Sequence, residues 1–458
     1  MPTRYSLILA ALLLGGCSLN SPLPAHQPVL PGQWSSQTQT PDWPDSHYWQ
    51  AFGADTLLRL QQQARQHNHD LAAAAARLQQ ADAQLRQAGA ALLPSLDAGL
   101  NAGRSGNDNG VGNNLSASLG ASYEVDFWGR NHQLREAARA SLDASHFDQA
   151  TLAVAIEASV ANSWFQLLET LEREQLAQQN LHSAERLLQL VEARAAAGAA
   201  DALEVSQQRI LVLQQRAVLL PLQQQRLALH NSLNLLLGNT PDAALPVDSA
   251  LASLHVPEAS AGLPSELLQQ RPDIRASEAR LLAANADLNA ARAALWPSLR
   301  LTGQYAGQSS TLADLLGNPA TSWNLLGGLT QPIFDGSRLR ARVEQADARQ
   351  QELLIDYQRS ILTAISEADT ALAAALSSRQ RVQQQQHVVE QAQLALQLAE
   401  ARYRAGAIAL STLLDSQRSL FQSQDALLQL QSAQLQTAVD LYRALGGGWQ
   451  ATTLSYSD

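Results

Sequence analysis

No catalytic constellation is spelled out in this chain. It has no His-Glu-x-x-His metal pair with its base, no phosphate-cradling glycine loop and no Gly-x-Ser-x-Gly elbow. Lysine is absent altogether, so arginine carries the basic charge. His67-Asn68-His69 sets two imidazoles near a helix start, where a solvated turn is commoner than a metal site. Neither an enzyme, a metal nor a small-molecule cofactor is expected. Asp415 and Arg418 stand three residues apart on one helix face, an ordinary surface pair that stabilises a helix by about a few tenths of a kcal/mol. Cys17 alone invites covalent chemistry. It is the only cysteine, so it has no partner for an internal disulfide.

The residues before that thiol say what modifies it. Arg4, the apolar run Leu7 to Leu14 and the small residues Gly15-Gly16 form a charged region, a short apolar region and a cleavage site. The run is too short to span a bilayer. The position of Cys17 after Leu14-Gly15-Gly16 resembles the bacterial lipobox, so residues 1–16 are expected to be removed and Cys17 to carry N-acyl and S-diacylglycerol chains. Ser18 replaces the aspartate that retains such proteins at the inner membrane, which favours the outer membrane. An extended, lipid-anchored segment is expected over 17–54.

The elements that follow are organised by a duplication. Ala88 to Leu96 reads AGAALLPSL and Ala291 to Leu299 reads ARAALWPSL, an offset of 203 residues. Glu192-Ala193-Arg194 with Gly198 recurs as Glu400-Ala401-Arg402 with Gly406, and Leu237-Gly238 as Leu445-Gly446, both offset by 208. Repeat 1 is expected over 55–240, a linker over 241–264, repeat 2 over 265–448 and a tail over 449–458. A net charge of −10 argues against nucleic acid as a partner. Aromatic content of 5% suits long, closely packed helices better than a bulky core.

Within each copy, helix and strand signals alternate. Neither Gly nor Pro occurs from 130 to 197 or from 337 to 405, so each stretch can form one helix of roughly 100 Å. Gly198 and Gly406 stop these helices, and return helices are expected over Leu203 to Leu237 and Leu413 to Leu445. Strands are expected at about 95–103 and 115–127, joined by a surface loop from Arg104 to Asn114, and again at about 298–307 and 322–334. Leu115 to Phe127 alternates apolar and polar residues without a break. Pro94 and Pro297 precede strands, and Trp128 and Trp296 sit near strand ends, as an interfacial belt or as simple packing.

Beyond the leader no apolar run is long enough for a membrane helix, so any crossing must be made of strands. Four strands cannot close a barrel. Two protomers would supply eight strands and three would supply twelve. The fold class expected is mainly α with a membrane β-barrel portion, a tube whose function is conduction. Glu124 and Asp126 are expected to face the lumen and to favour cations.

With these features in hand, the chain resembles the outer-membrane factors of the TolC type, in the lipoprotein subgroup that includes OprM and NodT. The residues that carry the resemblance are Arg271-Pro272-Asp273-Ile274 with Glu278-Ala279-Arg280, Ala291 to Leu299, Tyr123 to Arg130, Leu414 to Leu420 and Ala444 to Trp449. The resemblance implies a homotrimer in which long antiparallel helices form an α-barrel and four strands per protomer complete a 12-stranded barrel. It implies an outer-membrane exit duct for drugs or toxic compounds, with a periplasmic adaptor, an inner-membrane efflux pump and outer-membrane lipid as partners. It also implies a periplasmic gate at Arg402, Asp415 and Arg418, with adaptor docking at the helix turns Gly198 and Gly406. Ser411 stands where the pattern has leucine, which implies a more polar, leakier tip. The rival readings are a conduit for protein secretion, a metal-ion efflux duct and a non-conducting trimeric scaffold.

Overall fold

In the computed structural model, which describes residues 30–36, 43, 48–107, 110–258 and 260–449, the chain runs twice through one order of helices and strands, with one added short helix between the strands of the second copy. Cys17, Ser18, the leader and residues 450–458 lie outside the described residues. The first copy comprises α1 (Asp55–His67), α2 (His69–Ala90), β1 (Ser95–Asn107), β2 (Gly110–Val125), α3 (Arg130–Ala196) and α4 (Ala202–Leu236). The second comprises α5 (Leu267–Gln270), α6 (Pro272–Ala293), β3 (Ser298–Ser309), α7 (Leu312–Gly317), β4 (Ala320–Thr330), α8 (Arg338–Arg404) and α9 (Leu410–Ala444). The long helices α3 and α8 have 67 residues each, and the return helices α4 and α9 have 35 each.

Local chemistry sets these boundaries. Gly129 (φ 72) and Gly336 (φ 66) turn the backbone through the left-handed region, which an L side chain enters only at a cost. An aspartate upstream of each glycine, Asp126 or Asp335, then caps the helix. Asp126 accepts from the backbone N–H of Asn131 (3.0 Å) and His132 (2.7 Å), and Asp335 accepts from that of Leu339 (2.9 Å). Such a carboxylate satisfies orphan N–H groups and opposes the positive end of the helix dipole.

Four expected boundaries move. The ladder between β1 and β2 continues to Asn107 opposite Gly110, so most of the stretch expected as a surface loop is strand. Gly and Asn signal turns, yet they also fit a ladder that backbone hydrogen bonds already hold in register. β2 stops at Val125, because Asp126 is taken by the cap. β4 stops at Thr330 rather than 334, just ahead of Pro332, which has no N–H to donate. The segment expected to be extended up to residue 54 instead forms a 3₁₀ turn at Tyr48–Phe52 that buries Trp49 and Phe52.

The chain divides into two compact units. One takes residues 76–147 and 275–360 and contains the antiparallel sheet, in the order β1-β2-β3-β4. The other takes 148–274 and 361–449 with the described residues between 30 and 75. Its core is aromatic: Phe52, Trp164 and Phe165 are fully buried, and Tyr48 stacks on Tyr442 at 4.5 Å. The buried carboxylate of Glu157 accepts from Trp49 Nε1 (3.2 Å) and Arg65 Nε (2.7 Å), so it is paired rather than stranded. Arg271 donates to the carbonyl of Ala444 (3.0 Å) and pairs with Asp273 and Glu367 at 2.7 and 2.9 Å. Gly446 (φ 97) lies so close to the Gln270 carbonyl that a side chain there would collide with it. The Arg271-Pro272-Asp273 and Ala444 to Trp449 stretches are therefore two sides of one structural junction.

Candidate pore lining and helical tip

Strand register sorts the sheet into two chemical faces. Across all four strands, Ala98, Leu119, Tyr305 and Trp323 form one row, and Leu96, Ala121, Gly303 and Leu325 form another on the same face. The opposite face carries Asp97, Gly120, Gln304 and Asn324 in one row and Asn101, Ser116, Gln308 and Ala320 in another. In a soluble sheet the apolar face would be covered. Here Leu100, Trp323, Leu325 and Leu329 keep 82, 77, 76 and 72% of their surface exposed. A face this apolar and this open suits hydrocarbon, and the polar face suits a water-filled lumen. On their outer sides β1 and β4 have no neighbouring strand among the described residues, and lipid tolerates no such edge.

The charges expected to face the lumen are already committed. Asp126 is the cap of α3 described above. Glu124 lies on the polar face opposite Arg300, and Arg130 pairs with it at 2.8 Å. Both carboxylates thus have partners, an arginine for Glu124 and a helix N-terminus for Asp126. Trp128 donates from Nε1 to the carbonyl of Pro297 (2.8 Å) and stacks on Trp296 at 5.0 Å, so these two rings pack on each other.

In the second unit, α3 and α8 end in the same way. Gly198 (φ 74) and Gly406 (φ 72) adopt the left-handed conformation. Ala199 N–H returns to the carbonyl of Arg194 (2.8 Å), and Ala407 N–H to that of Arg402 (2.9 Å). This pattern satisfies carbonyls that a helix end leaves unpaired. Leu187, Val191, Leu211, Leu410, Leu413 and Leu414 bury an apolar cluster beside these turns. Tyr403 is buried in that cluster, and its hydroxyl donates to Glu204 Oε2 (2.7 Å). Burial, with that bond to a carboxylate, pushes the Tyr403 phenol up to about 12. Arg194 lies over the Tyr403 ring at 4.3 Å and donates to the carbonyls of Tyr403 (2.6 Å) and Ala199 (3.2 Å).

The gate candidates lie on the surface of this tip. Asp415 and Arg418 approach to 3.8 Å, a loose pair with side chains 76 and 44% exposed. Ser411 is exposed, and the exposed Arg402 side chain makes no hydrogen bond or ion pair among the described residues. Residue patterns alone missed Arg194, Tyr403 and Glu204. One signal was available, since Arg194 is the counterpart of Arg402 in the duplication. Its contact with Tyr403 spans 209 residues and could not be read from local spacing.

Comparison with known proteins follows the same outline. The profile of the outer membrane efflux protein family matches residues 60–239 and 263–447. The chain is 43% identical over 467 residues to the pyoverdine export outer membrane protein OpmQ of Pseudomonas putida, covering 98% of both chains. It is 33% identical over 460 residues to the cation efflux system protein CusC of Escherichia coli, covering 98% of this chain and 99% of the relative. A crystal structure of CusC superposes with a TM-score of 0.84 at 31% identity, covering 93% of this chain and 99% of the other.

Proposed function

The chain belongs to the outer membrane efflux protein family, and we propose that it is the outer-membrane exit duct of a tripartite pump, working as a homotrimer with a periplasmic adaptor and an inner-membrane transporter. The single observation that carries this reading is the two-faced sheet with open edges. Three copies close those edges into a twelve-stranded barrel, place the Trp323 and Leu325 face in lipid and leave the serine, asparagine and glutamine face to water.

The tip supplies a gate. Arg402, Asp415 and Arg418 are exposed on each protomer and free to meet their counterparts around a threefold axis, with Ser411 giving a polar constriction. The turns at Gly198 and Gly406 are compact ends for adaptor docking. Acyl chains on Cys17 hold the N-terminus in the membrane. Likeness to the pyoverdine export protein at 43%, against 33% for the cation efflux protein, supports a small organic cargo over a bare metal ion.

Deleting the gene and measuring retention of a panel of dyes, antibiotics and secreted metabolites tests the reading. Raised retention of some compounds, restored by the wild-type gene, is expected. Unchanged retention across the panel, together with loss of a secreted protein, would move the function to protein secretion. Cys17→Ser is expected to leave the protein folded but reduce its share in the outer-membrane fraction.

A further inference from the structure

In the first unit, helices α3, α6 and α8 enclose an open groove of about 320 Å³. Three cations line it, Arg130, Arg342 and Arg349, against one carboxylate, Asp287. The rest of the lining is Gln345, five alanines and Leu134. The partners that Arg130 and Arg349 do have, Glu124 and Asn131 for the first and Glu352 for the second, are not part of the lining. The Nε of Arg130 is buried without a hydrogen-bond partner, so a strong donor is left unsatisfied at the groove. Asp287, the one opposing charge, is held above the usual carboxylate range by burial, with Arg342 acting against the shift.

One lining residue also contacts the sheet. Arg130 reaches Glu124, and Glu124 belongs to the polar face of the sheet, opposite Arg300. Arg130 thus joins the groove to the polar face of the sheet, the face that the duct reading assigns to water. Guanidinium forks match the geometry of carboxylate and phosphate, and an alanine floor accepts a small apolar body.

We propose that this groove is an anion-binding subsite in the duct wall, taking the carboxylate or phosphate group of a solute in transit. It rests on the duct reading, because only a duct gives that face a solute. The site inverts the charge preference that Glu124 and Asp126 suggest from sequence, since those carboxylates are spent on Arg130 and on the helix cap.

The test uses the full-length trimer in neutral detergent, with citrate as the probe, followed by calorimetry. Saturable citrate binding is expected, weakened about tenfold or more in Arg342→Gln/Arg349→Gln and unchanged in Arg340→Gln, which lies on α8 outside the groove. Both groove arginines are exposed, and size-exclusion chromatography checks that the variant remains trimeric. No binding by the wild type, or equal binding by the double variant, would overturn the proposal. A phosphate could also come from a lipid headgroup, so the titration is repeated in micelles containing phosphatidylglycerol. Unchanged citrate affinity supports a lumenal site, whereas loss of citrate binding to the lipid would overturn it. Conductance in planar bilayers separates this from the duct reading: current without citrate binding removes the subsite alone, and citrate binding without current removes the duct.

Discussion

The two helical turns, at Gly198 and at Gly406, share a backbone and differ in what their side chains do. Both glycines are left-handed, and in both the same return hydrogen bond closes the helix. Yet Arg194 of the first copy bridges to Tyr403 and Ala199, while its counterpart Arg402 is exposed and makes no such bridge. The first return helix is capped by Asp201, which accepts from Glu204 N–H (2.8 Å), whereas Ala409 at the second cannot cap. Duplication preserved the turn because helix-end geometry allows few solutions, and it left the side chains free to diverge. One copy is fastened, and the other presents its charges outward.

Arg194→Ala is expected to break this contrast most strongly. It removes two hydrogen bonds from a charged donor and a cation–π contact, a loss of about 2–4 kcal/mol at the tip. Denaturant unfolding and resting conductance read the two consequences, a lower midpoint and a higher current. Arg402→Ala should leave the midpoint unchanged. Gly198→Ala and Gly406→Ala force an L side chain into the left-handed region and should each cost about 1–2 kcal/mol. Equal costs would show that the backbone is shared, and a cost in one copy alone would deny it.

Tyr403→Phe removes the bond to Glu204 at a cost of about 1 kcal/mol. Because the folded protein raises the phenol from 10.0 to about 12, its contribution is fully present below pH 10 and is lost as pH rises through about 12. Wild-type stability should fall more steeply than that of Tyr403→Phe between pH 10 and 12 in pH-jump unfolding. The smallest effect is a gain. Ala409→Asp supplies the missing cap and should stabilise the second hairpin by about 0.5–1 kcal/mol in the same assay.

Much of this fold is legible in the sequence. Unbroken runs without Gly or Pro mark α3 and α8, and strict alternation from Leu115 marks β2, because both signals depend on local periodicity. The errors come from residues with two local uses. Gly106, Asn107, Gly110, Gly112 and Asn113 read as a loop but continue a ladder. Asp126 continues the polar alternation of β2 but lies close enough to Arg130 to cap α3 instead. Helix α7, only six residues long, is too short for periodicity, although Thr311 and Asp314 carry its capping signal. The Arg194, Tyr403 and Glu204 contacts stay hidden because they join the two copies across about two hundred residues. The gate candidates are placed by position in the family pattern, and within one protomer Asp415 and Arg418 form only a loose surface pair.

Single-channel recording of the purified protein in planar bilayers tests the duct and its gate together. The account predicts a small resting conductance in the wild type that rises severalfold when Arg402, Asp415 and Arg418 are all replaced by alanine. No conductance in either protein would contradict the account.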